Sequence, residues 1–351
     1  MNRLVIGIPA RNEGENIAQL ADRLELGSVS LGEATRCELV LAYQSSDDDT
    51  LERWHARRFR RPHRVLRCPE GVTGKGRNVK LLISHALDTD ADLLLVDADL
   101  RSYPPANVAR FVHAEPPGRG GLTLPLWCRP RGEGNSTNFL ACPLLLASFG
   151  ARVRQPLAGQ MLLSRKLLAR IDLERLPDDY GVDIALTMAA LDHGLPVAQV
   201  AVPFPDHVGG GNSHRIMADV AATALRRLAE GPVTARPDVR WPDRYWEGQT
   251  WLPPSSRSLE PLLLDLVSPD GLARASALLD EAPEVVADLW CRQLAAAVTG
   301  ARRGEQVPEL VEDLAVPFLV HAEYRRRVDI DLEGAEAYVE SLGHQLARLL
   351  S

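Results

Sequence analysis

Short apolar runs of strand length alternate with longer amphipathic stretches through the first half of the chain. The apolar runs include RLVIGIPA, CELVLAY, HRVLRCP and ADLLLVDAD, and segments such as GENIAQLADRLEL and GKGRNVKLLISHAL follow them. This β-α repeat predicts an α/β fold with a mostly parallel sheet flanked by helices on both faces. Ligands bind such sheets outside the carboxyl ends of the strands, so the residues just after each strand are the candidates for chemistry.

The pattern changes from about residue 221. A stretch rich in proline and tryptophan, RPDVRWPDRYWEGQTWLPPSSRS, precedes helical segments around 259–280, 284–303, 307–325 and 333–350. We therefore predict a catalytic domain over 1–220, an irregular connecting segment over 221–258 and a helical C-terminal region over 259–351. We interpret the helical region as an appendage or a dimerisation surface rather than a second catalytic unit, and we expect a homodimer.

Composition narrows the class of protein. The 351 residues are 45% hydrophobic and 25% charged, as in an ordinary globular protein, and a formal net charge of -7 disfavours a nucleic-acid partner. No apolar run approaches the length of a membrane span, and the N-terminus lacks the features of a signal peptide. Five scattered cysteines without a CxxC pair disfavour a zinc or disulfide framework. We expect a cytoplasmic protein without a membrane partner.

Two stretches after the first and third predicted strands carry polar or glycine residues. The first, IPARNEGENI, puts Arg11 and Glu13 beside a helix start, where a ligand could meet them. The second, GVTGKGRN, lacks the GxxxxGK[ST] spacing of a P-loop. Its glycines Gly74 and Gly76 would still let the backbone approach a diphosphate, while Lys75 supplies positive charge.

Two further stretches carry acids. In DADL, Asp97 and Asp99 are separated by one residue in extended backbone, so both carboxylates point to the same side and could reach one hard cation. An ordinary strand-to-loop boundary with solvated acids would also look like this. In DDYGVDIAL, Asp183 follows a glycine at a predicted helix start, where the helix dipole favours an acid.

The order and spacing of six motifs resemble those of nucleotide-sugar-dependent glycosyltransferases of the GT-A fold. The motifs are IPARNE, GKG, DADL, NSTNFLACPLL, QPLAGQ and DYGVDIAL, followed by a histidine in PFPDHVGGGNSHR. They are most similar to the retaining branch that contains glucosyl-3-phosphoglycerate synthases and mannosylglycerate synthases. The resemblance spans roughly residues 3–220, and QPLAG with YGVD is its most specific part.

The resemblance implies an enzyme that transfers glucose or mannose, with retention, from a UDP- or GDP-linked donor. Asp97 and Asp99 would hold Mg²⁺ or Mn²⁺ together with His207, or with His214 as the alternative. Asp99, Asp183 and Lys75 would carry the catalysis. The residues expected to bind the nucleotide sugar are Pro9, Ala10, Arg11, Glu13, Gly74, Lys75, Asp97, Ala98 and Gly159.

The resemblance also implies a small carboxylate acceptor. The residues expected to bind it are Arg131, Ser136, Thr137, Leu157 and Ala158. The sequence departs from the phosphoglycerate enzymes at Asn135, where those enzymes typically have an arginine, and in the glycines after His207. Because both departures remove positive charge, we expect glycerate or a similar hydroxy acid to be the acceptor. The second strand ends in AYQSSDDDT instead of the usual DDGS type of turn, so the sequence does not distinguish a UDP-linked from a GDP-linked donor.

Three alternatives remain at the level of the sequence. The chain could glycosylate 3-phosphoglycerate as a glucosyl-3-phosphoglycerate synthase does. It could be a sugar nucleotidyltransferase, although PARNEGEN lacks the Gly-rich signature with a lysine that would favour that class. It could be a non-catalytic sugar-nucleotide-binding homologue, against which the intact Asp97, Asp99 and Lys75 argue.

Overall fold

The computed structural model describes residues 2–114, 120–127, 133–206, 213–232, 235–242, 277–278, 281–327 and 332–351. The chain divides into two compact units. The sheet unit contains Met1–Trp127, Leu157–Gly210 and Pro237–Tyr245. The helical unit contains Cys128–Pro156, Gly211–Arg236 and Trp246–Ser351. The chain therefore leaves the sheet unit after Trp127 and returns to it at Leu157.

All the described strands belong to one sheet, in the order β3-β2-β1-β4-β6-β5-β7-β8. Only β6 runs antiparallel to its neighbours β4 and β5, and the other pairs are parallel. The predicted mostly parallel sheet is therefore confirmed. The strands are β1 Asn2–Ala10, β2 Thr35–Tyr43, β3 His63–Arg67, β4 Asp92–Val96, β5 Leu122–Leu126, β6 Gln160–Leu163, β7 Val197–Ala201 and β8 Val239–Arg240.

Helices follow most strands of the sheet unit, as the β-α repeat predicted. The longest is α3, which begins at Lys75 immediately after Gly74, a residue with φ of 129°. That positive φ is a conformation that residues with a side chain rarely adopt. The helices of this unit are α1 Ile17–Val29, α2 Thr50–His55, α3 Lys75–Asp88, α4 Ala106–Ala114, α6 Arg165–Leu168 and α7 Val182–Asp192.

The core of the sheet unit lies around β1 and β4. Ile6, Ile8, Leu94 and Val96 are fully buried, because helices cover both faces of a central parallel strand. The apolar run of β4 ends at Val96, and the motif Asp97–Ala98–Asp99 comes directly after it. A rigid, buried strand therefore delivers the two aspartates to the carboxyl edge of the sheet.

The first described helix of the helical unit is a π-helix, Ser136–Ala141, which contains both Ser136 and Thr137. Its Phe139 carbonyl accepts a hydrogen bond of 2.8 Å from the Trp290 indole nitrogen, so a buried side chain uses a main-chain acceptor of this turn. The π-helix runs on into α5 Cys142–Phe149, and the other helices are α8 Ser213–Ala229, α9 Pro283–Arg302, α10 Val307–Arg327 and α11 Leu332–Leu350.

Three of the four predicted C-terminal helices are confirmed, because 284–303, 307–325 and 333–350 agree with α9, α10 and α11 to within about two residues. Most of the predicted segment 259–280 lies outside the described residues. The boundary predicted at residue 220 falls inside α8, while the division into 1–220, 221–258 and 259–351 stays a prediction.

Two properties of the described part of the chain bear on its chemistry. None of its helices has both the length and the apolarity that crossing a membrane requires. Four cysteines, Cys37, Cys68, Cys142 and Cys291, have free thiols, and all but Cys68 are buried.

Candidate active site

Three residues from different parts of the sequence meet at the carboxyl edge of the sheet. Lys75 is the first residue of α3, Asp97 follows β4, and Asp183 lies in the first turn of α7. The Lys75 Nζ donates to Asp97 Oδ2 at 2.9 Å and to Asp183 Oδ2 at 2.7 Å. The side chains of Lys75 and Asp183 are only 12% and 7% exposed. All three were predicted site residues, and the structure joins them through one ammonium group.

The charges of this cluster are unbalanced. Burial opposes the charged form of Lys75, but the Asp183 and Asp97 carboxylates outweigh it and raise the lysine pKa, so the ammonium stays protonated. Burial also raises the pKa of Asp97, which Lys75 offsets only in part because Asp183 and Asp99 add negative charge. Among the described residues, this cluster therefore contains more carboxyl groups than ammonium groups.

Glu13 adds another carboxyl group to this excess. Burial, and after it the neighbouring Asp99, Asp97 and Asp48, raise the pKa of Glu13 to about 8. Its backbone N–H donates to Thr50 Oγ1 at 2.8 Å, which fixes the loop after β1. A carboxyl group with so high a pKa near other acids either keeps its proton at neutral pH or is matched by a cation.

A buried asparagine that the sequence analysis did not select holds the loop of the two aspartates. The Asn16 Nδ2 donates to the Ala98 carbonyl at 2.5 Å and to the Leu100 carbonyl at 2.9 Å. Asn16 precedes α1, where a helix-capping role would be expected, yet its side chain makes no capping hydrogen bond. The position alone could not reveal a contact that spans more than eighty residues of sequence.

The same loop is also tied to the segment after β7. The Asp206 carbonyl accepts hydrogen bonds from the Arg101 N–H at 2.8 Å and the Ser102 N–H at 3.2 Å. In return the Asp206 N–H donates to Ser102 Oγ at 2.6 Å. The chain just before His207 is therefore fixed beside the aspartate loop, while His207 itself lies outside the described residues.

Gly159 lies against the first aspartate. It has φ of 61°, and a Cβ at this position would overlap the Asp97 carboxylate. The Asp97 N–H donates to the Gly159 carbonyl at 3.0 Å. Glycine is thus required both for the left-handed backbone and for the close approach to Asp97. Leu157 and Ala158, two predicted acceptor residues, are half-buried in the loop that precedes it.

The two glycines of the GKG motif face the protein's own backbone. A Cβ at Gly74 would overlap the Asp178 carbonyl oxygen, and one at Gly76 would overlap the Pro177 carbonyl oxygen. The approach of a diphosphate to these glycines stays a prediction. The structure adds an intramolecular reason for them, the docking of the Pro177–Asp178 segment onto the start of α3.

Gln44 is a second polar residue that sequence reasoning missed. It lies after β2, in the AYQSS turn, and is buried. Its Nε2 donates to the Gly74 carbonyl at 2.5 Å, and its Oε1 accepts from the Gly74 N–H at 3.1 Å. Because one amide makes both hydrogen bonds, Gln44 fixes the residue before Lys75. A glutamine amide can donate one hydrogen bond and accept another, whereas an aspartate carboxylate can only accept.

The remaining predicted residues lie at the edge of this cluster or elsewhere. Pro9 and Ala10 end β1, and Arg11 after them is exposed. Ser136 and Thr137 are buried within the helical unit. Arg131 lies outside the described residues, and so does the side chain of His214. Within the described ranges, no three His, Cys, Asp or Glu side chains form a group that could hold a metal ion.

Comparison with known proteins gives matches among solved structures. Neither a protein-family profile nor a curated protein sequence matches the chain. A glucosyl-3-phosphoglycerate synthase from Mycobacterium tuberculosis in complex with Mn²⁺, UDP and phosphoglyceric acid is 26% identical, with a TM-score of 0.53 over 64% of this chain and 78% of that chain. The chain is similar to glucosyl-3-phosphoglycerate synthases. The GT-A fold predicted from the sequence, and the resemblance itself, are thereby confirmed.

Two more structures of the same enzyme extend the comparison. The complex with Mg²⁺ and UDP is 27% identical, with a TM-score of 0.53 over 64% of this chain and 79% of that chain. The complex with Mn²⁺, UDP-glucose and phosphoglyceric acid is 23% identical, with a TM-score of 0.53 over 73% and 88% of the two chains, and supports the fold alone. The neighbouring structures thus contain Mn²⁺ or Mg²⁺ with UDP.

The raised pKa of Glu13 predicts a pH dependence of stability. The Glu13 carboxyl group has a pKa of about 8 in the folded protein and an ordinary pKa of 4.5. Its contribution to stability is therefore fully present below pH 4.5 and is lost as the pH rises through about 8. In EDTA, between pH 6 and 8, the free energy of unfolding should fall by about 1–2 kcal/mol more in the wild type than in Glu13→Gln. Urea titration at both pH values measures this difference. The exposed Glu15→Gln is the control, and equal pH slopes in wild type and Glu13→Gln would contradict the assignment.

Proposed function

We propose that the protein is a metal-dependent, retaining glycosyltransferase that moves glucose or mannose from a nucleotide sugar to glycerate or a similar small hydroxy acid. The observation that carries this proposal is the cluster in which Lys75 joins Asp97 and Asp183 beside further acids. It lies at the carboxyl edge of a GT-A sheet, where such folds bind their ligands.

The donor is the better supported of the two substrates. Solved structures that are at least 25% identical to this chain hold UDP together with Mn²⁺ or Mg²⁺. This favours a UDP-linked sugar over a GDP-linked one. The residues that we propose for the nucleotide sugar are those of the sequence resemblance, namely Pro9, Ala10, Arg11, Glu13, Gly74, Lys75, Asp97, Ala98 and Gly159.

The acid excess of the cluster fits a divalent cation. Burial first, and then the neighbouring carboxyl groups, raise the pKa values of Glu13 and Asp97, and oxygen ligands of this kind suit Mg²⁺ and Mn²⁺. Asp99, with Asp97 behind it, and His207 would hold the ion, and His214 is the alternative. A bound cation would supply positive charge against the diphosphate that leaves. The hydrogen bonds of Asp206 to the aspartate loop support His207, the next residue in the sequence.

Lys75 and Asp183 have separate roles in the proposed reaction. Lys75 fixes the Asp97 and Asp183 carboxylates, and Asp183 orients hydroxyl groups of the sugar or the acceptor. The bond between the anomeric carbon and the diphosphate oxygen breaks, and its electron pair goes to the departing diphosphate. The acceptor oxygen forms the new bond to the anomeric carbon, and its proton passes to an oxygen of the departing diphosphate. The Asp183 carboxylate is a weak nucleophile because the Lys75 ammonium lies 2.7 Å from it. This favours front-face attack by the acceptor hydroxyl over a covalent sugar intermediate on Asp183.

The acceptor rests on the sequence resemblance. The residues that we propose for it are Arg131, Ser136, Thr137, Leu157 and Ala158. Arginine can bind a carboxylate through two parallel hydrogen bonds. Since Asn135 is neutral, glycerate is the proposed acceptor. The presence of phosphoglyceric acid in one solved neighbour favours 3-phosphoglycerate as the second candidate. A cytoplasmic location and a homodimer remain parts of the proposal.

Loss of Asp99 should abolish most of the activity. In Asp99→Ala the diphosphate would face the remaining acids with a weakened cation site, so turnover should fall by about two orders of magnitude or more. Glycosyl transfer measured with and without EDTA, and a thermal-shift titration of UDP-glucose with and without Mn²⁺, test this expectation. Asp47→Ala, an exposed acid in the turn after β2, is the control. Near wild-type turnover in Asp99→Ala, or full activity in EDTA, would refute the metal assignment.

The stereochemistry of the product tests the proposed front-face route. With an α-linked donor sugar, the product should keep the α configuration because the acceptor attacks from the side that the diphosphate leaves. The anomeric proton coupling in an NMR spectrum of the purified product gives the configuration. A β-linked product would overturn this part of the proposal.

The choice of acceptor can be decided by competition. With glycerate and 3-phosphoglycerate present at equal concentration, the glycerate product should dominate, because Asn135 supplies no charge for an acceptor phosphate. Mass spectrometry of the product mixture measures the ratio. An Asn135→Arg variant should shift the ratio toward the phosphorylated acceptor. Preferential use of 3-phosphoglycerate by the wild type would instead favour the second candidate.

A further inference from the structure

The segment before α7 is held against the start of α3 by one acidic residue. Asp178 Oδ1 accepts from Lys80 Nζ at 2.6 Å, and Asp178 Oδ2 lies 2.5 Å from Arg77 Nη2. Both cations belong to the first two turns of α3, the helix that Lys75 begins. One carboxylate therefore ties this segment to the helix that carries the central lysine of the candidate active site.

The backbone of the segment packs closely against the start of α3, so a small displacement of the segment would disturb the contact. The carbonyl oxygens of Pro177 and Asp178 lie so close to Gly76 and Gly74 that a single methyl group at either glycine would overlap them. The interface between the segment and α3 thus has no room for a side chain at these points. A shift of the segment would therefore displace Gly74 and Gly76, the residues on both sides of Lys75 in the sequence.

The same segment leads directly to Asp183, the partner of Lys75 on α7. The Asp179 Oδ1 accepts from the Gly181 N–H at 2.8 Å, and α7 begins at Val182 with Asp183 in its first turn. Asp183 is only five positions after Asp178 in the sequence. The position of Asp183 relative to Lys75 is therefore determined at two neighbouring points, by the ion pairs of Asp178 and by the 2.7 Å contact itself.

We propose that Asp178 is a positioning residue, which holds the Asp183 carboxylate at the Lys75 ammonium through its ion pairs with Lys80 and Arg77. An isolated ion pair at a half-exposed site adds little to stability. Here the carboxylate binds two cationic side chains of one helix, and it lies beside a closely packed backbone contact. Its effect falls on the geometry of the site more than on the stability of the fold.

One test of this proposal does not depend on enzyme activity. The chain has three lysines, Lys75, Lys80 and Lys166, so amine acetylation by acetic anhydride can be followed residue by residue with mass spectrometry. Exposed Lys166 is the internal reference. In Asp178→Ala, acetylation of Lys75 relative to Lys166 should rise about fivefold or more, because the segment leaves the start of α3, and Asp183 leaves the Lys75 ammonium, more often. Asp178→Glu should restore most of the protection.

Matched variants separate a positioning role from a general loss of structure. Asp172→Ala removes the same charge from the same connection between α6 and α7, where the Asp172 carboxylate only accepts from the Glu174 N–H, and should leave Lys75 protected. Lys80→Gln combined with Arg77→Gln should reproduce the Asp178→Ala result, and adding Asp178→Ala to them should change little more. Unchanged protection of Lys75 in a folded Asp178→Ala variant, judged by circular dichroism, would overturn the proposal.

The kinetic part of the test rests on the proposed function. If that function holds, Asp178→Ala should lower kcat about tenfold and leave the KM of donor and acceptor within about twofold, since the variant removes no substrate contact. A large rise in KM with unchanged kcat would overturn the positioning role. If the wild type transfers no sugar, the proposed function fails while the acetylation result still decides the role of Asp178.

Discussion

The ammonium group of Lys75 is the contact on which the candidate site depends. Without it, Asp97 and Asp183 would be two carboxylates held close together with little access to water, a costly arrangement. With it, α3, the end of β4 and the start of α7 are joined at one atom. The supporting contacts all act on the partners of this ion pair. Gln44 fixes the residue before the lysine, Asn16 and Gly159 fix the aspartate loop, and Asp178 fixes the approach to α7.

The sequence was sufficient to predict the layout of the sheet unit. Runs such as LLLV in β4 are buried on both faces, so their apolar character gives both the strand and its central place in a parallel sheet. That layout brings the residues after β1 and β4 to the same edge, and it explains why Glu13, Asp97 and Asp99 could be selected together. Lys75 and Asp183 were selected from the local motifs GKG and DYGVD, and the resemblance gave them their roles, since neither strand patterning nor helix periodicity marks them.

The supporting residues could not be predicted in the same way. Asn16, Gln44 and Asp178 each occupy a position with an ordinary local explanation, as a helix start, a turn and a loop acid. Their roles come from contacts with residues that are 30 or more positions away in the sequence, which no local pattern encodes. The antiparallel strand β6 is a similar case, because its four buried residues give no sign of direction.

The glycines of the GKG motif illustrate how a motif can have an intramolecular cause that the sequence does not reveal. A glycine pair around a lysine suggests a loop that opens toward phosphate groups, as in nucleotide-binding loops. In this fold the two glycines admit the carbonyl groups of Pro177 and Asp178, and the lysine between them is directed to two carboxylates of the protein. Because its ammonium already pairs with two of the protein's own carboxylates, Lys75 has less positive charge left for an anionic ligand. Under the proposed function, a divalent cation beside Asp97 and Asp99 would supply the remaining positive charge against a diphosphate.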